Sequence, residues 1–109
     1  MTLNLPTMIA GYFAADRDRD AAAIPQRFTE DAVVKDEGEL HTGREAIQSW
    51  MSHAWKKYSA RTEPFAIAKQ GDETIVTCHV EGNFPGSPVD LRYHFVLEDE
   101  LIAKLEVTL

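Results

Sequence analysis

The stretch AVVKDEGELHTGREAI, residues 32–47, decides how the chain is read. It opens as a β-strand, turns at Gly38 and enters a helix whose start is marked by Thr42 with Glu45 three residues on, the spacing of a capping box. Ala32, Val34 and Asp36 alternate at a spacing of two, so in a strand their side chains share one face. Two readings of Asp36 follow. It ends the strand and accepts backbone hydrogen bonds in the turn at Glu37–Gly38, or it is a carboxylate held in an apolar site for its chemistry.

Downstream, Ile47, Trp50, Met51, Ala54, Trp55 and Tyr58 recur at intervals of three and four and continue the helix. Upstream, Leu5, Met8, Ile9, Tyr12 and Phe13 make a first amphipathic helix, with Asn4 as its cap and Pro6 in its first turn. The run DRDRD, residues 16–20, interrupts the apolar pattern and reads as a solvated connector. Asp20 caps a short second helix that carries Ile24 and Phe28 and ends over Thr29–Asp31.

After Tyr58 the period changes to alternation over residues 63–70, 73–82, 89–98 and 100–109. Gly71-Asp72 and Glu98-Asp99-Glu100 read as tight turns, and residues 82–88 as a longer connection. Helices first and a strand meander last predict an α+β domain, with three N-terminal helices on one face of a curved antiparallel sheet. The bulky residues Phe13, Trp50, Trp55, Leu91 and Phe95 either fill that core or bound a pocket within it, with Tyr12 and Asp36 as its polar groups.

A chain of 109 residues fits one domain, residues 1–109, which buries roughly two-thirds of its unfolded surface. An apolar fraction of 44% beside 27% charged residues is that of an ordinary globular protein. The net charge of −7 argues against nucleic-acid or anionic-membrane partners, which need clustered Lys and Arg. No apolar run approaches the roughly 18 residues of a membrane helix and the start lacks a signal-peptide pattern, so the expected location is cytoplasmic. Cys78, the single cysteine, is expected to pack as a small apolar group.

The order helix, short helix, FTEDAVVKDEG strand (28–38), HTGREAI helix start (41–47) and four long strands resembles the nuclear transport factor two-like superfamily. The resemblance is closest to its SnoaL-like and ketosteroid-isomerase-like members and spans nearly the whole chain. It implies a cystatin-like cone around an apolar cavity, and a homodimer formed through the outer sheet face. Tyr12 in GYFAA resembles the helix tyrosine that donates a hydrogen bond to the substrate oxygen, and Asp36 the carboxylate that shuttles the proton. In YHF, Tyr93 stands where ketosteroid isomerases place a protonated aspartate, so the second oxyanion donor becomes a phenol or is missing. His94 and Arg92 alternate to the other face of that strand, an outer-sheet position.

A carboxylate among apolar neighbours gains proton affinity above the usual value of about 3.9 and so becomes a better base. Removing a proton beside a carbonyl leaves an enolate, which phenol donors in a dry pocket stabilise. Two classes of function stay open. The first is a cofactor-independent isomerase, cyclase or dehydratase acting on a small apolar molecule through Asp36 and Tyr12. The second is a non-catalytic ligand-binding or dimerisation module, favoured if Trp50, Trp55 and Phe95 fill the cone. His41, His53, His79 and His94 lack metal-ligand spacing, and no phosphate loop or dinucleotide fingerprint is present, so neither metal nor cofactor is expected.

Overall fold

The computed structural model describes residues 3–109. Helix α1 (Thr7–Asp18) leads through 3-10 turns at Ala21–Ala23 and Pro25–Arg27 into β1 (Phe28–Asp36) and β2 (Glu39–Thr42). Helix α2 (Arg44–Tyr58) follows, and then β3 (Arg61–Gln70), β4 (Glu73–Glu81), β5 (Val89–Glu98) and β6 (Leu101–Thr108). The six strands form one sheet in the order β2-β1-β6-β5-β4-β3.

The sheet is mixed rather than antiparallel throughout. Four of the five strand pairings are antiparallel as expected, but β6 runs parallel to β1, with Val34 beside Leu105. The reason is topological: β1 lies before α2 and the meander, and the last strand returns to its free edge. Hairpin turns can be read from local residues, whereas a pairing between residues 34 and 105 cannot.

Three further expectations are corrected. The short second helix is two 3-10 turns, and Phe28 starts β1 instead of closing a helix. Thr42 does not cap α2, because it is the last residue of β2 and pairs with Val33. Gly43 takes the cap position at φ 91°, where its N–H donates to the Ala32 carbonyl at 2.8 Å. Nor does Asn4 cap α1, whose N-cap is Pro6. The strand β2 was itself hidden in the turn region. Glu37 and Gly38, both at positive φ, close a two-residue hairpin that fits the twist of β1 and β2.

Alternation fixes the layers. Ala32 and Val34 of β1, Val76, Cys78 and Val80 of β4, Tyr93 and Phe95 of β5, and Leu105 of β6 face the helices and are buried. Against them pack Ile9, Tyr12 and Phe13 from α1 and Ile47 and Met51 from α2. Cys78 is buried in this layer, and burial pushes its thiol up to about 12, which leaves it without nucleophilic character at neutral pH.

Gly82 ends β4 where the α2–β3 turn crosses it. A Cβ there would lie 2.7 Å from the Tyr58 carbonyl oxygen and 2.8 Å from the Ala60 Cα, both backbone atoms. The adjacent Asn83 N–H donates to that same carbonyl at 2.7 Å. Gly82→Ala is therefore expected to cost about 1–3 kcal/mol of stability by overpacking, read from urea denaturation. A midpoint equal to that of the parent protein would show that the crossing gives way freely.

Candidate functional site

Between the helices and the inner sheet face lies a cavity of about 740 Å³. Tyr12, Asp36, Tyr93, Trp50, Trp55 and Leu91 all border it. Phe13 and Phe95 do not; they stand behind its wall, with ring centroids 5.8 Å apart and each within 5.7 Å of the Tyr12 ring. Their role is to hold Tyr12 in place from the side away from the void. The Phe84–Gly86 loop and Val107–Leu109 also border the cavity.

Asp36 is the last residue of β1, and the strand's alternation turns it to the buried side. The Trp50 indole N–H donates to its Oδ2 at 3.1 Å. Burial raises the proton affinity of this carboxyl group above the ordinary carboxylate value, opposed by the Trp50 hydrogen bond; the Glu37 charge raises it further and His41 lowers it. The His41 ring lies over Trp50 with centroids 6.0 Å apart.

Tyr12 is only 1% exposed, and its hydroxyl meets the Met51 thioether sulfur at 3.6 Å. A thioether is a weak acceptor, so this phenol has no strong partner among the described residues. Burial first, and then the neighbouring acidic groups of Tyr93, Asp16 and Asp36, push its pKa well above the usual phenol value. Tyr93 is raised too, chiefly by burial. Both phenols therefore stay protonated and remain hydrogen-bond donors at neutral pH.

Asp16 was read as part of a solvated run, and the structure corrects this. Helix α1 extends through Asp18, and Asp16 is 6% exposed while Arg17 and Asp18 face solvent. The Trp55 indole N–H donates to its Oδ1 at 2.8 Å, and Arg19 lies 3.8 Å from the same oxygen. Burial raises its proton affinity, opposed by Trp55, Arg19 and the Thr62 hydroxyl. The signal was present in the spacing: Asp16 lies four residues after Tyr12, on the same helix stripe.

His94 and Arg92 lie on the outer sheet face, where His94 contacts Glu73 at 3.3 Å and Thr108 at 3.0 Å. Among the described residues, no three His, Cys, Asp or Glu side chains converge as metal ligands. No helix among them is long and apolar enough to cross a membrane.

Helices packed on one face of a curved mixed sheet, with a cavity between them, define a protein of the nuclear transport factor two-like, cystatin-fold class. A ketosteroid-isomerase-like protein from Catenulispora acidiphila, solved with trimethylamine, shares this fold at TM-score 0.83 and 18% identity, over 97% of this chain and 87% of that one. A nuclear transport factor two-like protein from Cytophaga hutchinsonii does so at 0.76 and 16%, over 98% and 92%. The model of the SnoaL-like domain matches residues 9–104, and the chain belongs to that family. A Sinorhizobium meliloti protein provisionally described as a polyketide cyclase is 43% identical over 96% of each chain, with TM-score 0.92. The comparison with curated proteins finds no match.

Burial gives Asp36 a higher proton affinity folded than unfolded, and the sign of its contribution to stability follows. The ionised group costs stability above its folded-state pKa, and that cost disappears as pH falls toward the ordinary value of 3.8. Asp36→Asn keeps an acceptor for the Trp50 indole. Its melting temperature is expected to match or exceed that of the parent protein near pH 7, the difference closing by about pH 4. A variant less stable at neutral pH, with a gap that widens upward, would show that the fold favours the charge.

Proposed function

We propose that this chain binds a small apolar molecule bearing a carbonyl group and moves a proton on it without a cofactor, as an isomerase or cyclase of the SnoaL-like family. The observation that carries this reading is the open cavity, in which Asp36 and the Tyr12 phenol border one void. A cone filled by its aromatic residues would have favoured a module without chemistry.

In this reading the Asp36 carboxylate takes a proton from the carbon beside the carbonyl and returns it at another position. Burial raises its basicity, and the Trp50 indole fixes its orientation. The electron pair left behind spreads onto the carbonyl oxygen. Tyr12 exchanges its weak sulfur contact for that oxygen, and Tyr93 is the second donor on the cavity wall. The kinship with the provisionally described polyketide cyclase supports a ring-forming or isomerising reaction through such an enolate.

β-Tetralone, an apolar ketone with acidic α-hydrogens, tests the chemistry without knowledge of the natural substrate. The protein is expected to accelerate exchange of those hydrogens for deuterium, followed by proton NMR in heavy water. Asp36→Asn should lower the rate by roughly 10²–10⁴, and Tyr12→Phe by roughly 10²–10³. Exchange that is unaffected by Asp36→Asn would remove the proton-shuttle role.

The proposed partner of the outer sheet face is a second copy of the chain. Phe65 is 51% exposed at the bulge of β3, next to Ala66, which pairs with Thr77 of β4. Phe65→Glu is expected to convert a dimer to a monomer in sedimentation velocity. A monomeric parent protein would dispose of the proposal.

A further inference from the structure

The cavity holds a second carboxylate that the proton transfer does not use. Asp16 borders the same void as Tyr12 and Asp36, on the same helix stripe as Tyr12. Its two closest polar contacts, the Trp55 indole and the Arg19 guanidinium, are both made to Oδ1. Oδ2 is thus the oxygen that neither of them holds, on a residue that borders the cavity and neighbours the Thr62 hydroxyl.

Burying a carboxylate without full hydrogen bonding is costly, and a structural role alone would be met by an amide or an apolar residue at this position. Arg19 decides what kind of group the open oxygen suits. The guanidinium is itself fixed, donating to the Ala60 carbonyl at 2.7 Å and lying 5.6 Å from the Trp55 ring centre. The negative charge therefore already has its counter-ion, and a neutral donor fits better than a second cation.

We infer that Asp16 is a ligand anchor: its Oδ2 accepts a hydrogen bond from a hydroxyl group on the apolar molecule whose carbonyl oxygen meets Tyr12. The ligand then carries two polar ends, a carbonyl and a hydroxyl, on an apolar frame. Asp36 and Tyr12 act on the first, and Asp16 with Thr62 selects the second. This rests on the reading of the cavity as a site for an apolar carbonyl compound.

Three β-substituted anthraquinones that differ only in a methyl, hydroxymethyl or aminomethyl group test it. Both tryptophans of the chain border the cavity, so quenching of their fluorescence reports occupancy. The hydroxymethyl compound is expected to bind about tenfold tighter than the methyl compound. In Asp16→Leu that lead should vanish while the methyl compound still binds, which shows the cavity intact. Should Asp16→Leu lose the methyl compound as well, Asp16→Asn, which keeps an acceptor for the Trp55 indole, replaces it, with the lead expected to fall by roughly threefold or more. A lead absent from the parent protein, or one that survives the substitution, would overturn the anchor. So would tighter binding of the aminomethyl cation than of the alcohol. If neither neutral quinone binds the parent protein, the apolar-ligand reading falls and the anchor with it, a result distinct from equal binding of both.

Discussion

A carboxylate taken out of water needs compensation, and this fold meets that need twice with the same device. Asp36 and Asp16 are each held by an indole N–H, and the two donors, Trp50 and Trp55, are the only tryptophans in the chain. An indole suits the task because it supplies one directed donor and otherwise presents an apolar surface. The carboxylates are thereby oriented without the bidentate guanidinium clamp that would hold them firmly charged and weakly basic. Burial raises their proton affinity, and the indole hydrogen bonds that fix their geometry offset part of that rise.

Helix α2 supplies this device. Trp50 reaches Asp36 at the end of β1, Met51 receives the Tyr12 hydroxyl from α1, and Trp55 reaches Asp16 one turn further along α1. Met51 and Trp55 are four residues apart and share the helix face toward α1, whereas Trp50 is turned toward the sheet. One helix thus touches the three polar groups on which the proposed chemistry and ligand selection depend. A small rotation or sliding of α2 would move all of them together, so the packing of Ile47 and Met51 into the core bears directly on the site.

The aromatic cluster has a different task. Tyr12, Phe13, Phe95 and Tyr93 meet edge-on, tilted or stacked, with centroids between 5.1 and 6.5 Å apart. Only the two tyrosines border the void, and the two phenylalanines back them. The hydroxyl oxygens face an environment where burial keeps them protonated, and the rigid backing limits where they can point.

Although the last turn of α1 reads locally as a connector, periodicity alone established the start of α1, the helix 44–58 and four long strands within a residue or two of their ends, because apolar spacing is a local property. It also put Asp36 on the buried face of β1, since alternation in a strand admits no other choice. The family resemblance supplied Tyr12 and Tyr93. What the chain did not disclose locally was the parallel β1–β6 pairing, the strand β2 behind its two-residue turn, and the burial of Asp16 inside a run of charges. Each depends on which distant surface covers a residue: β6 closes on β1 across seventy positions of sequence, and Trp55 lies 39 residues from Asp16. Local pattern sets the direction of a side chain relative to its own element, and only tertiary packing decides whether water or another element waits there.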